Sequence, residues 1–110
     1  MPDAIPEQLL EHIAERFRVL GDVTRLSILR LLLDHGELNV GELSELCESS
    51  QANVSKHLKM LNTARIVVRR PVGTAAYYSV ADPSISRLCT IVCDQLRLQV
   101  AEEARTFANA

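Results

Sequence analysis

The sequence predicts a mainly α-helical domain with one small β-hairpin, and three observations support this fold class. Apolar residues recur at helical spacing from about residue 9 to residue 61, and again from residue 85 to residue 96. Between these regions, β-branched and aromatic residues flank a turn that contains proline and glycine, which is typical of two paired strands. The length of 110 residues fits one domain, and we therefore expect residues 1–110 to form a single unit.

The predicted elements follow one another as four helices, two strands and one helix. Gly21 and Asp22 separate the first two helices, and Gly36 follows the second. Asp82 and Pro83 supply an N-cap and a first-turn proline for the last helix. The expected ranges are about residues 7–20 and 23–34 for the first two helices, 39–63 for the next helix pair, 66–80 for the hairpin and 83–105 for the last helix.

Residues 39–63 have the organisation of a helix-turn-helix. Asn39 and Glu42 are placed to form a capping box at the start of a short third helix. After a turn of small polar residues, Ser49 or Ser50 caps a fourth helix. The buried side of this fourth helix is expected to carry Val54, Leu58 and Leu61. Its opposite side is then free to contact a partner.

The basic residues are concentrated around this helix pair and the hairpin. Residues 49–80 contain five Lys and Arg residues and no Asp or Glu, so this stretch carries a formal charge of +5. The rest of the chain holds the other seven basic residues and all 14 acidic ones, for a formal charge of −7. This pattern favours a polyanionic partner, because phosphate contacts need cations that no carboxylate neutralises. On charge alone, a solvated basic face without a partner is the alternative.

A helix-turn-helix followed by a basic hairpin is the winged helix-turn-helix organisation, in which the second helix enters the major groove of DNA. Gln51 and Asn53 would present paired donors and acceptors to base edges, while Ser55 would reach bases or phosphates. Lysines of the same helix and arginines of the hairpin would neutralise phosphates. The expected DNA-binding residues are Ser50, Gln51, Asn53, Ser55, Lys56, Lys59, Arg69 and Arg70. Double-stranded DNA is therefore the predicted partner.

The chain also resembles a known family along nearly its whole length. Residues 20–29 read LGDVTRLSIL and resemble the signature LGDPTRLxIL of the ArsR/SmtB repressors. Residues 38–43 (LNVGEL) resemble the opening of the family's third helix, residues 50–58 (SQANVSKHL) its recognition-helix motif, and residues 77–80 (YYSV) its second wing strand. The resemblance covers about residues 13–98. It implies a homodimer formed through the first and last helices, which represses transcription at an imperfect palindrome and is released by a small inducer.

Two positions depart from the family's pattern, and a third has more than one interpretation. Val23 replaces the usual proline of the signature, and Arg65 stands where glycine often ends the recognition helix. An arginine in a left-handed conformation would be strained there, unless the helix ends differently. His57 fits the family motif, and a structural role between the helix and the core competes with a role as a contact or ligand.

Most of the inducer sites that the resemblance implies are not preserved in this sequence. The family's third-helix arsenic site would need thiols around Asn39 and Gly41, where this chain has none. The zinc site of the last helix retains Asp82 but lacks its other ligands. The remaining zinc positions hold Ser84, Gln95 and Leu98, and the paired cysteine positions of a redox-sensing subgroup hold Arg30 and Arg97.

Cys89 and Cys93 are the remaining candidates for sensing an inducer. Their i, i+4 spacing on the last helix can present two thiolates to a thiophilic ion such as arsenite, Cd²⁺ or Hg²⁺, or to an oxidant. Arsenite would require a third thiol, and Cys47 is the only other cysteine. Packing in the core or in a dimer interface is the alternative role for these cysteines. No other cofactor is expected.

The sequence is also compatible with functions other than inducible DNA binding. A winged helix that serves only as a protein–protein interaction module, docking an acidic partner, is one alternative, and a family member without metal or redox sensing is another. An enzyme is not expected, because the chain has no phosphate loop and no nucleophile with a base at a recognisable spacing. The three cysteines and the acidic N-terminal segment, without a membrane span or signal peptide, favour a cytoplasmic protein.

Overall fold

The structure, a computed structural model, describes residues 4–109. Within them, helices and strands follow one another in the expected order, with one additional short strand. The elements are a 3₁₀ turn at Glu7–Leu9, α1 (Leu10–Leu20), α2 (Val23–His35), β1 (Leu38–Asn39), α3 (Val40–Cys47), α4 (Gln51–Thr63), β2 (Val67–Val72), β3 (Ala75–Val80) and α5 (Ser84–Ala108). The winged helix-turn-helix fold class is confirmed. The expectation of one domain over residues 1–110 includes residues 1–3 and 110, which lie outside the described residues.

The sheet has three strands within residues 4–109, whereas the sequence predicted a two-stranded hairpin. The strand order is β1-β3-β2, and β1 pairs with β3 in antiparallel register, with Leu38 opposite Tyr78. A two-residue strand is too short to show a period in the sequence, which is why β1 escaped prediction. The hairpin turn is also tighter than expected, because Pro71 and Val72 still pair with Ala76 and Ala75.

The core is formed where α2, α3 and α4 meet the sheet. As predicted, Val54, Leu58 and Leu61 are completely buried on the inner side of α4. They pack with buried residues of the neighbouring elements, which include Ile28, Leu29, Leu32, Leu43, Ile66 and Ile85. This apolar contact fixes the inner side of α4 and leaves its outer side in solvent.

The first and last helices leave large apolar side chains exposed in the single chain. On α1, Phe17 is 55% exposed, and on α5 Val92 and Leu96 are 50% and 53% exposed. The last helix is longer than expected, since it continues to Ala108. Pro83 occupies its N-cap position, so Asp82 is not the N-cap and Pro83 does not lie in the first turn, and both parts of the prediction were wrong. No helix within residues 4–109 is long and apolar enough to cross a membrane.

Candidate DNA-binding surface

The turn between α3 and α4 is fixed by local hydrogen bonds. The capping box at the start of α3 is confirmed, because Asn39 Oδ1 accepts from the Glu42 backbone N–H at 2.8 Å and Glu42 Oε1 accepts from the Asn39 N–H at 3.0 Å. Ser50 caps α4 by accepting from the Asn53 backbone N–H at 3.1 Å. Between the helices, Glu48 adopts the left-handed conformation with φ 53°. These contacts set the angle at which α4 leaves the turn.

The outer side of α4 presents polar and basic side chains. Gln51, Ser55, Lys56 and Lys59 are all exposed. Neither lysine makes an ion pair within residues 4–109, so both ammonium groups are available to phosphates. The structure thus brings these four residues together on one surface.

Asn53 differs from the other outward residues that the sequence singled out. It is half-buried, and its Nδ2 donates to Ser49 Oγ at 2.9 Å. Its side-chain amide is therefore already partly engaged in the turn. A bidentate contact with a base would require it to give up this hydrogen bond.

The hairpin β2–β3 forms the wing and carries the two expected arginines. Arg69 and Arg70 are exposed and lie on opposite faces of β2. The Arg70 guanidinium makes two hydrogen bonds with the Glu37 carboxylate, at 2.6 and 2.9 Å, and lies 5.5 Å from the centre of the Tyr77 ring. The Arg70 hydrogen bonds hold the pKa of Glu37 below its ordinary value. Arg69 therefore has fewer competing contacts than Arg70 and is more available for phosphate binding.

The inner side of α4 is tied to the first two helices by a buried arginine. Arg25 is 8% exposed, and its Nη1 lies 3.2 Å from Nδ1 of His57, which is 7% exposed. The Arg25 Nε donates to the carbonyl of Val19 at the end of α1. Asp22 accepts from the Arg25 backbone N–H at 3.0 Å, and this bond lowers the pKa of the Asp22 carboxyl. His57 is thus a structural residue of the recognition helix in this chain.

The sequence left two possible ways for α4 to end at Arg65, and the structure shows one of them. Arg65 has φ 61° and lies in the left-handed region, where glycine is favoured. The Ile66 backbone N–H donates to the Leu61 carbonyl at 3.0 Å, which closes the end of the helix. The helix therefore ends as in the family pattern, with an arginine in the place of glycine.

The cysteines are free thiols in two separate places. Cys89 is half-buried and Cys93 is exposed, and both line an apolar groove of about 1110 Å³ between α2 and α5. Cys47 is half-buried on α3, where burial raises the pKa of its thiol. Within residues 4–109 no three His, Cys, Asp or Glu side chains are grouped so that they could hold a metal ion. A site made of all three thiols is therefore not assembled within one chain.

Several residues that shape this surface were missed by sequence reasoning. Arg25 belongs to the LGDVTRLSIL motif, which could have drawn attention to it. Glu37 and Arg16 gave no signal, because their partners Arg70 and Asp82 are 33 and 66 residues away in sequence. A cationic face on the second helix of a helix-turn-helix that is exposed and makes no ion pair in the described part of the chain, with a basic wing beside it, defines a winged helix-turn-helix DNA-binding protein.

Comparison with known proteins gives the family. The model described as "Bacterial regulatory protein, arsR family" matches residues 22–68. The arsenical resistance operon repressor of Bacillus subtilis (strain 168) is 33% identical over 86 residues, which cover 78% of this chain and 82% of that protein. The chain therefore belongs to the ArsR family of transcriptional regulators. This membership confirms a DNA-binding regulator and not an enzyme.

Solved structures agree with this assignment. The crystal structure of Rv0081 from M. tuberculosis has a TM-score of 0.79 at 31% identity and covers 90% of this chain and 99% of that chain. The solution structure of Mb0332 from Mycobacterium bovis, a homodimeric winged helix-turn-helix DNA-binding domain, has a TM-score of 0.77 at 25% identity. It covers 92% of this chain and 95% of that chain.

Proposed function

We propose that this chain is a homodimeric repressor that binds an imperfect palindrome, with α4 in the major groove and the wing on the adjacent backbone. The observation that carries the proposal is the outer side of α4, where Gln51, Ser55, Lys56 and Lys59 are exposed and neither lysine makes an ion pair with a carboxylate of residues 4–109. A helix of this kind fits the width of the major groove, and its two cations can bind phosphates on either side.

Each side chain of this surface has a distinct proposed role. Gln51 and Ser55 read base edges, and Asn53 joins them when its bond to Ser49 opens. Ser50, the N-cap of α4, contacts a phosphate through its backbone, because the helix dipole favours an anion at the start of the helix. The contacts with the DNA backbone come from Lys56 and Lys59 on α4 and from Arg69 and Arg70 on the wing.

A second copy of the chain is the proposed partner for the exposed apolar sides of α1 and α5. Phe17, Val92 and Leu96 are each at least half exposed in the single chain. Burying such side chains against another copy is favourable, and it would place two recognition helices in a symmetric arrangement. Sedimentation equilibrium tests this part of the proposal. A dimer mass is expected, and a monomer at micromolar concentration would contradict it.

For the inducer, we propose a thiophilic ion or an oxidant that acts on Cys89 and Cys93. Both thiols line the same groove between α2 and α5, next to the exposed apolar side of α5. Two thiolates one helical turn apart suit Cd²⁺ or Hg²⁺, with other ligands from solvent or from the second copy. The relationship to an arsenical resistance repressor is consistent with an inducer of this chemistry.

Fluorescence anisotropy of the reduced protein tests these proposals together. DNA from upstream of its own gene is compared with a scrambled duplex, and each complex is challenged with arsenite, Cd²⁺, Hg²⁺ and hydrogen peroxide. Specific binding that is released by one challenge in the wild type and in Cys47→Ser, but not in Cys89→Ser or Cys93→Ser, supports the inducer site. Specific binding that survives every challenge contradicts thiol sensing but agrees with the proposal of a repressor. Equal binding to both duplexes contradicts sequence-specific recognition and favours a protein-interaction module.

A further inference from the structure

Arg16, on α1, connects three elements through one guanidinium group. Its Nη1 donates to Asp82 Oδ2 just before α5, in an ion pair whose side chains are 38% and 19% exposed. Its Nη2 donates to the carbonyl of Ala64 at 3.1 Å, at the C-terminal end of α4. A single side chain of one proposed dimerisation helix thus touches the start of the other and the end of the recognition helix.

The surroundings of this contact strengthen the connection between α4 and α5. Asp82 also accepts from the backbone N–H and the hydroxyl of Ser84, at 2.9 and 2.7 Å, and these bonds, with Arg16, lower the pKa of its carboxyl. The carbonyl of Ile66, just after α4, accepts from the backbone N–H of Ala81 at 2.8 Å. The Asp82 carboxylate is therefore held in place beside the start of α5. The Arg16 guanidinium is thus bound to the start of α5 on one side and to the end of α4 on the other.

The carbonyl at the end of α4 is a favourable partner for this cation. The last carbonyls of a helix have no partner inside the helix and carry partial negative charge. A guanidinium can donate to a carbonyl and a carboxylate at once because its donors are arranged in a rigid plane, whereas an ammonium is a point donor. Arg16 is therefore suited to fix the direction of α4 relative to α1 and α5.

We propose that Arg16 is a positioning residue for DNA binding, which acts through Asp82 and Ala64 to hold the recognition helix at the angle that the dimer requires. The inference rests on the proposed function, since it concerns how α4 is presented to DNA. It assigns Arg16 no contact with a phosphate.

The test uses Arg16→Met, Asp82→Asn and the double variant, with Arg87→Met as the matched control. Arg87 is exposed on the first turn of α5 and makes no ion pair within residues 4–109. Asp82→Asn retains an oxygen that can accept from Ser84 while it removes the charge that binds Arg16. It therefore tests the same bridge if Arg16→Met fails to fold. Anisotropy is measured against salt concentration on upstream and scrambled duplexes, with the active fraction determined by stoichiometric titration.

The proposal predicts that Arg16→Met weakens specific binding at least about fivefold, and that the double variant is no weaker than Arg16→Met alone. The slope of log K against log salt concentration stays as in the wild type, as does binding by Arg87→Met. A slope reduced by about one would show a direct phosphate contact and overturn the proposal. Unchanged affinity per active molecule, or additive losses, would overturn it as well. If the wild type itself does not distinguish the two duplexes, the proposed function fails first and the inference fails with it.

Discussion

The Arg25 guanidinium and the His57 ring meet at 3.2 Å between Nη1 and Nδ1, on the buried side of the recognition helix. Because an arginine N–H can only donate, this contact is a hydrogen bond when Nδ1 of His57 is the acceptor. The same guanidinium donates to the Val19 carbonyl at the end of α1. Through Arg25, the recognition helix is thus connected to α1 by polar contacts as well as by apolar packing.

Replacing His57 tests the strength of this contact. His57→Leu leaves a buried arginine N–H without its acceptor, so the free energy of unfolding should fall by about 1–3 kcal/mol. His57→Asn keeps an acceptor near the position of Nδ1 and should cost less. Urea unfolding at neutral pH measures both. A His57→Leu protein as stable as the wild type would show that the hydrogen bond contributes nothing.

Lys56 tests the phosphate contacts of α4. Because its ammonium is exposed and unpaired within residues 4–109, Lys56→Ala should leave the melting temperature unchanged. It should weaken binding to specific and scrambled DNA alike and reduce the slope of log K against log salt by about one. Arg87→Ala serves as the control for a cation outside α4 and the wing. A slope equal to that of the wild type would remove Lys56 from the interface.

The pairing of Arg70 with Glu37 predicts an unusual gain of affinity. Glu37→Gln removes the charge that competes with phosphate for the Arg70 guanidinium, so binding to DNA should become tighter and more sensitive to salt. Arg70→Ala should weaken binding, and adding Glu37→Gln to it should have little further effect. Anisotropy over a salt series measures all three variants. If Glu37→Gln binds more weakly than the wild type, Glu37 holds the wing in place instead of masking Arg70.

The left-handed Arg65 predicts a stabilising substitution. Arg65→Gly removes the Cβ that is strained at φ 61°, a cost of about 1–2 kcal/mol. Part of that gain is offset because glycine is more flexible in the unfolded chain. A net increase of up to about 1 kcal/mol in the free energy of unfolding is expected, measured by urea unfolding. A loss of stability would show that the Arg65 side chain makes a contribution larger than the strain.

The local features of the fold could be predicted from the sequence because each depends on neighbouring residues. The capping box of Asn39 and Glu42, the cap of α4 (expected at Ser49 or Ser50 and found at Ser50) and the buried row on α4 are all set by spacing within a few positions. The left-handed conformation of Arg65 was expected only as one of two ways to end the helix, and it was suggested by the family resemblance. Strand β1 and the extra turn at the end of α5 were missed.

The long-range polar contacts could not be predicted from one sequence. Arg16 with Asp82 and Arg70 with Glu37 join residues that become neighbours only when the chain has folded. Exposed lysines gave a clearer signal, since the acid-free stretch that contains them is visible without a structure. The roles of the eight proposed DNA-binding residues, Ser50, Gln51, Asn53, Ser55, Lys56, Lys59, Arg69 and Arg70, remain predictions, as does sensing by Cys89 and Cys93.

The most direct test of a dimer that places two α4 helices on DNA is hydroxyl-radical footprinting of the wild type on its own upstream sequence. Two protected regions related by the palindrome are predicted, with centres about 10–10.5 base pairs apart or a multiple of that distance, since the recognition helices would enter major grooves on one face of the duplex. A single protected region without symmetry, or the same pattern of protection on a scrambled duplex, would contradict this account.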